Sequence, residues 1–332
     1  MATSALRTGG SSVGDAAADD TAALEIRWQT AVDRGGRGDG AAALTSLQTL
    51  RRVATVTGHP ALTSLAWSTT ASLYRQAGRH ADALVMDGRA LAALDGVRGD
   101  AGFDTPLVPR GYSTSGGNHS ISGSGHSTSG GGSSTSGVGG AGFDTPLVPH
   151  GYSTSGGGWE HAALVDAMVG LAADNLGLGR LGTAERLLTR AGAVVDRALD
   201  PASWTNGARG RLRHHWVTAE LGLYGGRVDL ALDHARAGID LIAQVGDAVP
   251  ERHRVKTELI LAAATASSDS AASASAALDL ADRATGAGLL PLEWAALSLQ
   301  VGLTGGSPAT TERLGRSRRL LIDRGMPFAT GQ

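Results

Sequence analysis

The chain has 332 residues, a formal net charge of −2 at pH 7, 42% apolar residues and only 4% aromatic residues. A nearly neutral charge excludes a general electrostatic attraction to nucleic acid or to an anionic membrane surface. The absence of cysteine excludes disulfides, thiol nucleophiles and thiolate metal sites.

The first 19 residues are small, polar and glycine-rich, so we expect a disordered N-terminus. They contain no apolar stretch of signal-peptide length, and no run elsewhere approaches the roughly 20 apolar residues that cross a bilayer. We therefore expect a cytoplasmic protein that does not span a membrane. Helical periodicity begins at Thr21 and predicts two helical repeats over residues 20–97.

The clearest pattern lies in residues 67–91, which read WSTTASLYRQAGRHADALVMDGRAL. A tryptophan is followed by a small residue, an aromatic residue, a turn glycine and two alanines of a second helix; these are Trp67, Ala71, Tyr74, Gly78, Ala83 and Ala90. This spacing resembles the tetratricopeptide repeat, in which small residues let two helices approach closely. Asp87 stands where the family has a bulky residue.

Residues 98–158 interrupt the helical pattern with glycine, serine and threonine. Segments 101–117 and 141–157 differ only in having Arg110 and His150 at corresponding positions, which indicates an in-frame duplication. Gly/Ser-rich sequence buries too little surface to offset its ordering entropy, so we predict a flexible loop.

Weaker copies of the repeat predict four further helix pairs over residues 159–326, followed by a tail at 327–332. The repeats are spaced by more than the roughly 34 residues that are usual for the family, so the helices are extended or the sequence has diverged. Five prolines fall where a helical pattern begins, as expected for the first helical turn. They are Pro60, Pro201, Pro250, Pro291 and Pro308.

The resemblance implies an all-α fold: a right-handed α-solenoid of about six antiparallel helix pairs, interrupted by the Gly/Ser loop. It also implies that the first helices of the pairs line a concave surface, where partners bind as extended peptides or helices. Lys256 is the only lysine, and we attribute this bias to the codon usage of a GC-rich, actinobacterial genome.

Motifs for catalysis and cofactor binding lack the context that they need. Gly177-Leu178-Gly179-Arg180-Leu181-Gly182 fits a dinucleotide-binding pattern, but a helix precedes it where such a site needs a strand. His214 and His215 are adjacent, so they point to different helix faces and do not form an i, i+4 metal pair. We therefore expect no cofactor, no metal site and no enzyme activity.

Two charged clusters open predicted first helices, one at residues 209–215 and one at 252–258. They line a basic groove for the carboxylates of an acidic partner segment, or they form a solvated face; the sequence leaves both open. The candidate partner-binding residues are Ser68, Ser72, Arg75, Gln76, Arg213, Trp216, Glu220, Arg252, Lys256 and Glu258.

The first functional hypothesis is a non-enzymatic scaffold or adaptor that binds a protein or peptide through the concave first-helix face. The alternative is a regulatory protein that senses a ligand or peptide and acts through a transcriptional or signalling partner. Nucleic acid is not an expected partner, because the chain is not basic overall and has no interleaved aromatic platform. The sequence does not determine the partner or the oligomeric state.

Overall fold

The structure is a computed structural model that describes residues 13–95 and 158–328, with side chains from residue 20 in the first range and residue 159 in the second. These residues form twelve α-helices and no strand, which confirms the all-α prediction. Most of the predicted disordered N-terminus, the duplicated loop and the end of the tail lie outside the described residues.

The helices follow one another as six pairs, and the two helices of a pair are joined by three or four residues. The first two pairs are α1 (Val13–Gly36) with α2 (Gly40–Val56), and α3 (Pro60–Gln76) with α4 (His80–Ala92). The next two are α5 (Gly158–Gly177) with α6 (Leu181–Ala198), and α7 (Arg209–Tyr224) with α8 (Val228–Val245). The last two are α9 (Glu251–Thr265) with α10 (Ser270–Gly286), and α11 (Leu290–Thr304) with α12 (Pro308–Asp323).

A turn glycine separates the two helices in five of the six pairs, and residues 266–269 between α9 and α10 contain none. Gly78 and Gly179 adopt φ values of 74° and 73°, in the left-handed region that glycine enters without a steric penalty. The glycine motif at 177–182 is therefore the turn between α5 and α6 and not a phosphate-binding loop after a strand. The wide repeat spacing is accounted for by helices of 13 to 24 residues.

Four of the five prolines lie at helix starts, as predicted: three in the first turns of α3, α11 and α12, and Pro250 as the N-cap of α9. The prediction for Pro201 is wrong, because it lies in a turn before a short π-helix, Trp204–Ala208, that leads into α7. Ser203 caps this π-helix instead by accepting a hydrogen bond from the N–H of Asn206. The first helix also begins at Val13, before the predicted Thr21.

The stack of pairs continues across the long insertion. Both α3 and α4 pack directly against α5, so the residues between α4 and α5 do not separate the second pair from the third. Fully buried alanines such as Ala43, Ala71 and Ala184 lie where helices approach closely, as the repeat pattern predicts. Trp28 of α1 meets Trp159 of α5 edge to face, with ring centroids 5.9 Å apart.

The last pair returns to the first. The N–H of Ala41 in α2 donates a hydrogen bond of 3.0 Å to the carbonyl of Arg324, directly after α12. Leu321 of α12 is buried next to Gly38 in the turn between α1 and α2. The array therefore closes on itself, and the first helices of its pairs are enclosed.

Candidate functional site

The first helices carry a set of charged and polar side chains on their enclosed side, which we call the inner face. Nine of the ten predicted partner-binding residues are buried there, whereas Glu258 is partly exposed and bonds Arg283. The sequence left two alternatives for these residues, an open basic groove and a solvated charged face. Because the residues are buried, the inner face is neither of them. The buried nine are Ser68, Ser72, Arg75, Gln76, Arg213, Trp216, Glu220, Arg252 and Lys256.

The first cluster extends from the inner face to α4: an ionic triad of Arg75, Asp87 and Asp174, all of them at most 2% exposed. Arg75 of α3 donates through Nη2 to Asp87 of α4 and through Nε to Asp174 of α5, the latter at 2.7 Å. Burial raises the pKa of Asp87 well above its usual value, Arg75 opposes this shift, and Asp174 adds to it. The triad therefore joins the second and third pairs with two carboxylates that share one guanidinium.

A second ion cluster joins the third pair to the fourth. Arg209 Nη2 donates to Asp166 Oδ2 at 2.5 Å, and Arg213 Nη1 lies 2.5 Å from the other oxygen of the same carboxylate. Arg209 and Arg213 are one turn apart on α7, and Asp166 projects from α5. One carboxylate thus holds two guanidinium groups in the interior.

The third cluster surrounds His253, a fully buried residue of α9. Its ring stacks on Trp216 at 5.6 Å and meets Trp204 edge to face at 4.9 Å. Lys256 lies 3.6 Å from Glu220 and over the Trp216 ring.

The charge around His253 is predominantly positive. Burial lowers its pKa well below the usual value, and four neighbouring cations, Arg252, Arg209, Arg213 and Lys256, lower it further. The imidazole is therefore neutral at pH 7. Among the described residues, neither of its ring nitrogens has a hydrogen-bond partner, and the same holds for the indole N–H of Trp204.

Several residues of these clusters were not among the sequence candidates, namely Asp87, Asp166, Asp174, Arg209 and His253. Asp87 was visible as a departure from the repeat pattern, and His253 lay inside a charged run that was already noted. Nothing in the local sequence around Asp166 or Asp174 points to an arginine partner, because Arg75 is 99 residues from Asp174 along the chain.

Three of the other histidines, His214, His215 and His234, form a separate group outside the inner face. His214 contacts the carbonyl oxygen of Leu188 at 3.0 Å, whereas His215 Nδ1 lies 3.0 Å from His234 Nδ1, so the adjacent pair does point to different helices as predicted. Across residues 20–95 and 159–328, no group of three or more histidines and carboxylates is arranged to hold a metal ion.

Comparison of the chain with protein-family models, with curated proteins and with solved structures gives no match. No helix in the described part of the chain is both long and apolar enough to cross a membrane.

Proposed function

We propose that this chain is a right-handed, tetratricopeptide-like α-solenoid that binds a short carboxylate-bearing segment of a partner protein on its inner face and catalyses no reaction. The observation that carries the proposal is the convergence of Arg209, Arg213, Arg252 and Lys256 on the neutral ring of His253. Carboxylates form their strongest hydrogen bonds with guanidinium and ammonium groups in such water-poor surroundings. The expected cytoplasmic location belongs to the same proposal.

The charge balance around His253 suits an incoming anion. The buried carboxylates of Asp166 and Glu220 pair with three of the four cations. Asp33, beside Arg252, is a third carboxylate, and burial raises its pKa to about 6. Four cations thus face these three carboxylates, and a ligand carboxylate would bring the two signs into balance.

The energetic cost of these groups supports a role beyond folding. Replacing a buried ion pair by apolar residues of similar volume is often neutral or stabilising, because desolvating two charges offsets their attraction. A helical array that needed only stability would fill these positions with leucine and alanine, as it does elsewhere in its core. Charged positions of this kind, with shifted pKa values, are candidates for binding.

The enclosure of the inner face favours a partner segment that is narrow. Arg213, Arg252 and Lys256 are each at most 5% exposed, so a folded domain has no surface to dock on at these residues. An extended peptide or a chain terminus is narrower than a folded domain, and recognition of acidic segments by arginine clusters is a recurring mode of peptide binding. This favours a short segment over a large rigid partner.

A regulatory sensor is the second candidate, and the contact between the first and last pairs favours it. A peptide on the inner face would touch helices that belong to different pairs, so its binding would change their spacing. That change would reach the outer surface, where a transcriptional or signalling partner would detect it. The scaffold and the sensor share the same site and differ in whether binding alters the shape of the array.

Peptide capture tests the proposal. The immobilised protein is incubated with a synthetic pool of short peptides in which aspartate and glutamate are varied at every position, and the captured peptides are sequenced. We expect enrichment of acidic peptides, and we expect a Lys256→Met/Glu220→Gln variant to lose it, because that variant removes one cation without leaving a buried charge unpaired. Arg283→Met, which removes an exposed cation on α10, is the matched control. Equal capture of acidic and neutral peptides, or no effect of the Lys256 variant, would contradict the proposal.

A further inference from the structure

The two ends of the array meet at a contact that we call the seam: residues 37–41 of the first pair against residues 321–326 of the last, with Leu290 of α11 beside Gly38. Arg324 contributes most of its polar contacts. The Arg324 carbonyl accepts from Ala41, its guanidinium donates to the carbonyl of Arg37 at 3.3 Å, and its Nη1 lies 3.6 Å from Asp39. Leu321 and Met326 are the buried apolar residues of this contact.

The seam is weaker than the contacts between consecutive pairs. Helices of adjacent pairs pack along their length, whereas α12 meets the first pair only near the turn that joins α1 and α2. The ion pair between Arg324 and Asp39 is about half exposed, so water and salt screen it. A cavity of about 70 Å³ lies beside the seam, where α1 approaches α9 and the turn before α11, and Arg252 lines it.

The order of the helices makes the seam separable from the fold. In a linear array each pair buries its apolar surface against its neighbours, and stability is close to a sum of such local terms. Breaking the seam interrupts no helix and separates no consecutive pairs. The first and last pairs are therefore able to part while all six remain folded, provided that α1 also leaves its contact with Arg252 of α9.

We propose that the seam is a releasable latch that controls access to the inner face. The closed state is the one described here, and opening moves the first pair away from the last and admits a peptide beside Arg252. The inference rests on the proposed function for the identity of what enters, but the latch itself is a property of the chain without any ligand. The same movement would supply the change of shape that a sensor requires.

One substitution separates the latch from helix stability. A Cβ atom at Gly40 would lie 2.6 Å from the carbonyl oxygen of Gly325 and 2.7 Å from the backbone nitrogen of Met326. Backbone atoms do not move aside as a flexible side chain does, so Gly40→Ala should force the seam apart. Alanine nevertheless favours helix over glycine, so α2 itself should not be weakened. Gly88→Ala in α4 is the matched control, because nothing lies within 4 Å of its Cβ position.

The absence of cysteine allows the two ends to be labelled specifically. Spin labels at Gln48→Cys on α2 and Asp323→Cys on α12, both exposed, report the separation of the ends by pulsed electron paramagnetic resonance. We expect Gly40→Ala to shift the distance distribution to longer values at unchanged helicity, and Gly88→Ala to leave it unchanged. An unshifted distribution in folded Gly40→Ala protein would overturn the latch. Loss of helicity throughout the array would also overturn it, because the seam would then be part of the cooperative fold.

A cross-link provides the opposite perturbation. The hydrogen bond between Ala41 and Arg324 places their Cα atoms within about 6 Å, a separation that a disulfide spans. The oxidised Ala41→Cys/Arg324→Cys variant should lose capture of the acidic peptide pool and regain it on reduction, whereas equal capture in both states would refute control by the seam. If Gly40→Ala opens the ends but neither it nor the wild type captures acidic peptides, the latch stands and the proposed function fails.

Discussion

The ionic triad of Arg75, Asp87 and Asp174 provides the sharpest test of the inner-face description. Replacing Arg75 by methionine keeps most of the side-chain volume but removes the only guanidinium that bonds both carboxylates. Because Asp87 and Asp174 are inaccessible to water, neither charge is compensated by solvent. Breaking a buried ion pair by removing one partner costs about 3–5 kcal/mol, and we expect Arg75→Met to lower the free energy of unfolding by that amount at pH 7.

The pH dependence of this loss identifies its cause. In the variant one of the two buried carboxyls should bind a proton, because its folded-state pKa rises further above the unfolded value once Arg75 is gone. The folded variant then holds up to one proton more than the wild type, so the penalty grows with pH by at most about 1.4 kcal/mol for each pH unit. The stability deficit of the variant should therefore be smaller at pH 5 than at pH 7.

Urea unfolding followed by circular dichroism at the two pH values measures this difference. The triple variant Arg75→Met/Asp87→Leu/Asp174→Leu is the control, since it removes all three charges and should recover most of the lost stability. The reasoning is refuted if Arg75→Met unfolds within about 1 kcal/mol of the wild type, if its deficit is independent of pH, or if the triple variant is no more stable than the single one.

Three further predictions address other parts of the chain. Burial first, and then neighbouring positive charge, lowers the pKa of His215 to about 4, so the folded state keeps this ring neutral. The contribution of the neutral ring to the free energy of unfolding is fully present above pH 6.5 and is lost as the pH falls towards 4, by at most about 3 kcal/mol. The variant His215→Asn should therefore flatten this part of the stability profile measured by urea unfolding. An unchanged profile would contradict the assignment. A Cβ atom at Gly177 would lie 2.2 Å from the ring of His80, so Gly177→Ala should lower the free energy of unfolding by about 1–3 kcal/mol in the same assay. Gly88→Ala has open space around its Cβ atom and should raise the free energy of unfolding by up to about 1 kcal/mol. Deleting residues 101–140 should leave the Tm within a few degrees in calorimetry, because α4 packs directly on α5; a large drop would show that the loop packs on the array.

The helix pairs were predictable because their signal is local. The pattern formed by Trp67, Ala71, Gly78 and Ala83 has spacings that helix geometry dictates. The turn at Gly179 was predicted from the helical pattern on either side of it. Pro201 shows where local reasoning fails: the proline allows a helix start, but the following residues form a π-helix whose cap is Ser203.

The candidate residues lie on the first helices of their pairs, as predicted, yet their environment was not predictable. Periodicity assigned Arg213, Arg252 and Lys256 to the first helices, and all three do project to the inner face. Their burial comes from contacts with helices of other pairs, such as Arg213 with Asp166 of α5 and Arg252 with Gly36 of α1, and such contacts leave no periodic trace in the sequence.

The sequence by itself determined an all-helical chain of six pairs and the first helices as carriers of its charged residues, because helix periodicity, small residues and turn glycines act over a few neighbouring positions. Only the tertiary structure decided that the pairs close into an enclosed array and that the charges become ion clusters. Arg75 meets Asp174 and Arg209 meets Asp166 because pairs that stack bring distant positions together. The last helix returns to the first turn because the stack is curved, and curvature is the sum of small rotations at every interface between pairs.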